Sequence, residues 1–242
     1  VPIRKKNFTW NINAIWSMNR NKILSLNGTK DENGHEADDE ANGWFIGHNI
    51  NAYYDYQYDG IFQLEDDIPD YEGTYTAQPG DIRVKDVNKD GKITAEDRVV
   101  IDRDPKWTAS LVMSFAFYGV DISADFYGVY GAIRRNNYLY APNQGGDLRG
   151  TRNGIKVDYW TIENPSTTAP RPRDGTISYM SALSYQDASY LRLRNLSVGY
   201  SFPKKWISGA KMSKLRLYFT ATNVFTLTPY LSYSPEAAAG SY

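Results

Sequence analysis

Residues 107–130 read WTASLVMSFAFYGVDISADFYGVY, and this stretch decides the fold. Trp107, Ala109, Leu111, Met113, Phe115 and Phe117 alternate with Thr108, Ser110, Val112, Ser114 and Ala116. Beyond Tyr118-Gly119, Val120, Ile122, Ala124, Phe126, Gly128 and Tyr130 alternate with Asp121, Ser123, Asp125 and Tyr127. A period of two sends successive side chains to opposite faces of a strand, so each run has one apolar and one polar face. Tyr118-Gly119 then reads as a tight hairpin turn.

Four further runs repeat the pattern. Phe8, Trp10, Ile12, Ala14, Trp16 and Met18 alternate with mostly polar neighbours; so do Ile50, Ala52, Tyr54, Tyr56 and Tyr58, and Leu215, Leu217, Phe219 and Ala221. In the remaining run Leu191 and Leu193 are odd, whereas Leu196, Val198, Tyr200 and Phe202 are even. One extra residue near Arg194-Asn195 restores the phase, which predicts a β-bulge there. No apolar stripe at helical spacing outlasts two turns, so the chain reads as all-β.

The strands run to about ten to twelve residues, against roughly five or six in globular domains. Tilted bilayer-spanning strands need roughly 9–11 residues and carry aromatic girdles at their ends. A soluble sandwich alternates too, so the pattern alone leaves both architectures open. The connections favour the membrane. Strands are joined by a tight turn at 118–119 and by Pro203 to Met212, and between these lie about 48 residues from Asp59 to Lys106 and about 55 from Ala132 to Asp187. This alternation fits short periplasmic turns and long external loops. Asn27 to Trp44, about 18 residues on the short-turn side, is the exception. Six strands cannot close a membrane barrel, and an open edge in lipid is prohibitive, so the chain is expected to be a piece of something larger.

Composition removes other classes. Among 242 residues, 27 basic and 28 acidic side chains nearly cancel, which argues against nucleic acid as a partner. The absence of cysteine excludes a thiol nucleophile, disulfides and Cys/His zinc sites, and His35 and His48 have no triad partners at a recognisable spacing.

The most specific local signal is the run Asp86-Val-Asn88-Lys-Asp90-Gly91-Lys92-Ile93-Thr94-Ala-Glu96-Asp97. It matches an EF-hand-like or dockerin-like loop, with oxygen side chains at positions one, three and five and glycine at six. A hard cation wants six or more oxygens at one point, and alternate positions of a tight loop project inward. Asp86, Asn88 and Asp90 supply side chains, Lys92 its carbonyl, Thr94 a hydroxyl or a water-mediated contact, and Asp97 the closing carboxylate. Ile93 is the apolar anchor. Calcium, with magnesium as second choice, would pin the loop over 80–98 in a structural role; the metal-free alternative is an Asp/Asn/Gly turn.

Other clusters carry less. The acidic run Asp31, Glu32, Glu36, Asp38, Asp39 and Glu40 beside His35 reads as a solvated loop, with a second cation site as the minor reading. Glu65, Asp66 and Asp67 lack the setting of a catalytic pair. Arg134, Arg135, Arg149 and Arg152, among Tyr138, Tyr140, Asn143 and Gln144, read either as ordinary loop solvation or as a surface for a polar ligand.

The same residues resemble, in order along nearly the whole chain, the SusC/RagA-type TonB-dependent outer-membrane transporters of Bacteroidota. Asn21-Lys-Ile23 is similar to that family's NKI strand end, and Tyr54-Asp-Tyr56-Gln-Tyr58-Asp-Gly60-Ile61-Phe62-Gln63 to its Y-x-Y-x-x-GIFQ segment. Pro79-Gly80-Asp81-Ile82, the 86–93 run and Asp97-Arg98 resemble its PGD…D-x-NGDG-x-I…DR run. Tyr159-Trp160 with Asn164-Pro165 resembles a YWTPENP loop, with Ile162 where proline is common. Ser189-Tyr190-Leu-Arg192-Leu-Arg194-Asn195-Leu196, Leu215-Arg216-Leu-Tyr218 with Asn223-Val-Phe225-Thr226, and Ser234-Pro235-Glu236 match its closing strands.

The resemblance implies the C-terminal portion of an antiparallel transmembrane β-barrel of roughly 22 strands. About six strands are present, with plug, TonB-binding region, earlier strands and final strand outside the chain. It implies a non-enzymatic importer in the outer membrane, surrounded by its lipid, with a SusD-like surface lipoprotein as lid and TonB as energy source. The substrate would be an oligosaccharide or peptide. The alternatives are a soluble surface β-sandwich that binds glycans with a calcium-stapled loop, and a β-rich glycoside hydrolase for which no paired carboxylates stand out.

Overall fold

A computed structural model describes residues 2–5, 7–136, 158–173, 177–231 and 234–236. The chain divides into two compact units, a strand wall (1–20, 105–132, 188–230) and a loop unit (21–104, 133–187, 231–242).

The wall is one six-stranded antiparallel sheet. Its strands are β1 (Pro2–Lys5), β2 (Phe8–Ser17), β3 (Trp107–Phe117), β4 (Val120–Tyr130), β5 (Tyr190–Ser201) and β6 (Arg216–Leu227), each paired with its neighbour in sequence. Register keeps like with like. Trp10 faces Phe115 and Phe115 faces Ile122; Ile122 faces Val198 and Val198 faces Phe219. Every apolar row therefore crosses the sheet on one face, and the polar rows Asn11–Ser114–Ser123–Ser197–Thr220 run along the other. The hairpin between β3 and β4 closes through Tyr118 and Gly119 with φ of 46° and 90°. Two positive φ values are what a two-residue turn matched to strand twist requires.

The expected bulge is present. The β4–β5 register shifts between Asp125 and Phe126, where Asp125 faces Asn195 and Phe126 faces Leu193, leaving Arg194 as the extra residue. Opposite it on β6 the register jumps from Thr222 to Phe225, and Asn223 takes φ 50°.

One expectation is corrected. The run over 50–58 is extended, but it is not a wall strand: Ala52–Tyr56 pairs with Arg98–Asp102, and Tyr58–Ile61 with Ile82–Val84, in the loop unit. Alternation reports an extended backbone with two different faces; it does not say which sheet the strand joins. The sixth wall strand is instead β1, four residues with Ile3 opposite Trp10. The anomalous short connection thereby disappears. Everything between Ser17 and Trp107 is one long excursion, and the connections at the opposite end of the sheet are the β1–β2 turn, Tyr118-Gly119 and the segment between Ser201 and Arg216.

The loop unit has its own core of Ile61, Ile82, Val84, Ile93, Trp160, Ile177, Met180 and Leu183, with Tyr56, Tyr58, Tyr71 and Tyr179 against it. A parallel pair, Asp70–Tyr71 with Lys92–Ile93, and an antiparallel pair, Ile133–Arg135 with Tyr185–Asp187, complete its strands among the described residues. No helix of the described residues is long and apolar enough to cross a membrane.

Candidate functional site

The two faces of the wall pose opposite physical problems. On the apolar face Trp16 is 61%, Phe219 66% and Leu227 61% exposed, and no second sheet of this unit covers them among the described residues. An apolar face this continuous needs a non-aqueous neighbour, because burial is worth roughly 25 cal/mol per Å². Its aromatic rings gather at two levels. Trp107 stacks on Tyr130 (5.4 Å) at one end, while Phe8–Phe115 (5.4 Å), Phe117–Tyr118 (4.5 Å) and Tyr200–Phe202 (4.9 Å) lie towards the other. An 11-residue strand rises about 35 Å and, tilted by roughly 40°, spans about 27 Å, the height of a bilayer's hydrocarbon band.

The polar face carries paired charge. Arg216 on β6 reaches over β5 to Asp121 on β4, with Nε donating to Oδ1 at 3.0 Å and Nη2 donating to Oδ2. The bridge passes above Gly199, where a Cβ would sit 2.5 Å from the Arg216 Nη2 and 2.7 Å from the Asp121 Oδ2. Arg194, set at the bulge, donates to Asp125 at 3.2 Å and stacks over Tyr127 at 4.6 Å. Arg192 donates to the Thr226 hydroxyl at 2.8 Å and lies 5.3 Å from the Tyr190 ring. The face is thus hydrophilic, nearly neutral and lined by Arg–Tyr pairs, surfaces that suit a polar, hydrogen-bonding solute. Alternation shows these residues as polar but does not reveal the pairs. The available signal is a mid-strand glycine, Gly199, which marks close approach of other groups.

The Asp86–Asp97 loop is ordered by its own side chains. Asp86 accepts the amides of Lys89 (2.6 Å) and Gly91 (2.9 Å), Asn88 that of Asp90 (3.1 Å), and Asp90 that of Lys92 (2.8 Å). Gly91 supplies φ 81° for the bend. Ile93 is fully buried, as the anchor role requires. Thr94 caps the short turn Ala95–Asp97, its hydroxyl accepting from the Glu96 amide at 3.2 Å. Asp97 is fully buried, and its two oxygens accept the amides of Val87 and Thr94, each at 2.8 Å. Among the described residues no three His, Asp or Glu side chains are grouped so as to hold a metal. The donors are all hard oxygens, the kind a calcium ion takes, and each carboxylate oxygen retains a second lone pair. Local hydrogen bonds alone account for the loop's curvature.

The acidic run also folds its own loop. One Glu36 oxygen, Oε1, accepts from the amides of Leu26 (2.7 Å) and Gly28 (2.8 Å) and from the Ser25 hydroxyl (3.1 Å). The Gly28 amide, then Ser25 and Leu26, hold its carboxyl below the usual glutamate range. Asp31 accepts from Asn33 and His35, Asp38 from Ile46, and Asp39 from Asn42. Asp66 accepts from the Gln63 amide and pairs with Arg83 at 3.2 Å. These acids are engaged by backbone amides, the Ser25 hydroxyl, the Asn42 side chain and one arginine.

The motif residues of the loop unit converge. Gly80 (φ 87°) lies under Trp160, whose indole donates to Gln63 at 3.0 Å. Asp81, 3% exposed, receives Arg171 at 2.7 Å and the Tyr75 hydroxyl at 3.1 Å. Burial pushes the Tyr179 hydroxyl up to about 12, and it raises Tyr71, Tyr75 and Tyr185 as well. A cavity of about 460 Å³, lined by Tyr56, Gln57, Tyr58, Ile133, Ala182 and Tyr185, opens in this unit; that volume suits a small organic ligand. Arg134 and Arg135 sit on the strand Ile133–Arg135; Arg149, Arg152, Tyr138, Tyr140, Asn143 and Gln144 lie outside the described residues.

Comparison with known proteins agrees with this geometry. No protein-family model matches the chain. It is 29% identical over 245 residues to TonB-dependent receptor P3 of Formosa agariphila, covering 97% of this chain and 24% of that protein. It is 24% identical over 250 residues to TonB-dependent receptor SusC of Bacteroides thetaiotaomicron, covering 99% and 23%. Among solved structures, the RagAB peptide transporter matches with a TM-score of 0.69 at 24% identity, over 98% of this chain and 26% of that one. The chain spans about a quarter of the length of these relatives. The six-stranded sheet therefore has the fold of part of a large antiparallel β-barrel, as the RagAB transporter structure has it.

Proposed function

We propose that this chain, a SusC/RagA-type relative along nearly its whole length, serves as wall and external loops of an outer-membrane nutrient importer. The observation that carries the reading is the division of one sheet into an uncovered apolar face with aromatic ends and a neutral, Arg–Tyr-lined polar face. The first suits lipid. The second suits a water-filled lumen that passes an oligosaccharide or a peptide without holding it. The whole importer works with a SusD-like surface lipoprotein over its loops and draws energy from TonB. The cavity between Tyr56, Tyr58 and Tyr185 gives the loop unit a place for one residue of such a ligand. The named relatives are receptors and transporters, in line with a non-enzymatic role.

The test begins with the natural protein that carries this sequence. It is expected in the outer-membrane fraction, extractable only with detergent, accompanied by a lipoprotein, and importing labelled oligosaccharide or peptide only in cells with intact TonB. Recovery as a water-soluble protein, or uptake unchanged without TonB, refutes the reading.

We infer also that Asp86, Asn88, Asp90, the Lys92 carbonyl, Thr94 and Asp97 hold a structural calcium ion, with magnesium as the weaker fit. Support comes from the all-oxygen donor set and the glycine bend; Asp97 would act from its buried position. Calcium should slow proteolytic cleavage between 80 and 98 in the intact transporter, and Asp86→Ala with Asp90→Ala should abolish the difference. Cleavage that is the same in calcium and in chelator rejects the metal.

A further inference from the structure

The segment joining β5 to β6 is built unlike the other connections. From Phe202 to Arg216 it carries five basic residues and no acidic one, whereas residues 21–104 hold 20 acidic against 8 basic. Arg216 is engaged by Asp121. Lys204, Lys205, Lys211 and Lys214 are all exposed and form no ion pair among the described residues. The charge is not spread along a floppy strand. The short helix Lys204–Ile207 and the turn Ser208–Ala210 fold the segment back on itself, with the Trp206 amide donating to the Pro203 carbonyl (2.9 Å) and that of Lys211 to Ser208 (3.0 Å). Ile207, 4% exposed, pins the fold, and the Phe202 amide closes it on the Leu215 carbonyl at 3.0 Å.

Trp206 points the other way. It is 67% exposed, and it continues a line of rings that starts on the apolar face of the wall: Tyr200 to Phe202 at 4.9 Å, then Phe202 to Trp206 at 6.5 Å. The indole therefore sits where the apolar band ends, in the same short segment as the four exposed lysines. Indoles favour the boundary between hydrocarbon and headgroups, and clustered lysines beside such a boundary attract anionic lipid.

We propose that this segment is a headgroup site for anionic phospholipid: Lys204, Lys205, Lys211 and Lys214 hold the lipid phosphate while Trp206 seats the segment at the hydrocarbon edge. The proposal rests on reading the wall as bilayer-spanning, and it adds the partner of the short-turn end. The phospholipid leaflet is the occupant because the basic set lies at the end of the sheet opposite the strand ends, Ser17 and Trp107, from which the acidic excursion leaves. That arrangement would keep the wall from sliding along the membrane normal.

The full transporter is reconstituted in phosphatidylcholine vesicles with and without phosphatidylglycerol, re-extracted in mild detergent, and its retained lipids are measured by mass spectrometry. Wild-type protein should retain phosphatidylglycerol in preference to phosphatidylcholine. Replacing all four lysines by glutamine should lower that preference by about tenfold or more, while replacement by arginine keeps it. Insertion, read as resistance to alkaline extraction from the vesicles, should be equal for all three proteins. Equal preference in wild type and the glutamine variant overturns the proposal. A parallel arm with lipopolysaccharide vesicles overturns it too if lipopolysaccharide is the lipid that the lysines retain. Failure of wild-type protein to insert in any vesicle instead removes the bilayer reading beneath it.

Discussion

Replacing Gly80 by alanine tests whether the loop unit is held by the close approach of Trp160 and Arg171. Gly80 has φ 87°, and a Cβ there would lie 2.4 Å from Cε3 and 2.9 Å from Cδ2 of Trp160, and 2.8 Å from Cβ of Arg171. The backbone conformation alone costs an L-residue about 1–2 kcal/mol. The contacts add to it, because the Trp160 ring cannot yield freely. It is 6% exposed, tied to Gln63 through its indole, and Arg171 is tied to the buried Asp81. Overpacking of this kind costs about 1–3 kcal/mol, so the sum is about 2–5 kcal/mol of local stability. Gly73 supplies the control, with the same φ of 87° and nothing within 4 Å of its Cβ position. Gly73→Ala should therefore lose only the backbone part. Amide exchange of residues 60–63 and 80–84 in the intact protein reads the difference between the two variants. If both lose the same protection, the contact with Trp160 is not what requires glycine, and the reasoning fails.

Three further outcomes follow from the same geometry. Gly119→Val should impair assembly of the β3–β4 hairpin, since φ is 90° and a Cβ would sit 2.7 Å from the Ser201 carbonyl oxygen; a loss of about 2–4 kcal/mol should appear as a smaller heat-modifiable folded fraction on electrophoresis. Glu36 has its folded pKa depressed, chiefly by the Gly28 amide, so its contribution is complete above the ordinary glutamate value and is lost as pH falls through the folded one. Amide protection at Leu26 and Gly28 should collapse in that acid window, and Glu36→Gln should flatten the profile. Tyr179 has the opposite sign: burial raises it from 10.0 to about 12, so stability is complete below the unfolded value and is lost as pH climbs through that interval. Tyrosinate absorbance of the folded protein should lag that of the unfolded chain, and coincident titrations would contradict the buried tyrosine cluster.

Much of the wall was legible because a one-sided sheet imposes period two on its sequence. The β3–β4 hairpin, the length of its strands and the bulge at Arg194 all follow from counting phase, and the bulge needs only that Leu193 and Leu196 share a face. What phase cannot supply is the partner of a strand. The run over 50–58 alternates as well as β2 does, yet its tyrosines serve the core and ring contacts of a small ribbon unit, while β1 joins the wall on four residues with Ile3 as its apolar contribution. Side-chain pairing across strands was likewise out of reach: Asp121 and Arg216 are 95 positions apart and meet only because Gly199 leaves the strand between them bare.

That misplacement concealed an asymmetry that matters for the site. With 50–58 in the wall, the acidic run and the Asp86–Asp97 loop fall on opposite ends of the sheet. With β1 in its place, both belong to the single excursion between β2 and β3, which holds the excess of acids in 21–104 and leaves and rejoins the sheet at one end. The opposite end has the lysines of 204–214. Seven of these acids, Glu36, Asp31, Asp38, Asp39, Asp66, Asp86 and Asp97, each accept backbone amides. Their charge folds the turns of a long excursion whose apolar core is Ile61, Ile82, Val84 and Ile93. Over 25–46 and 86–97 carboxylates order the backbone beside the buried Phe45 and Ile93, and a cation at Asp86–Asp97 would reinforce an arrangement that the amides already hold.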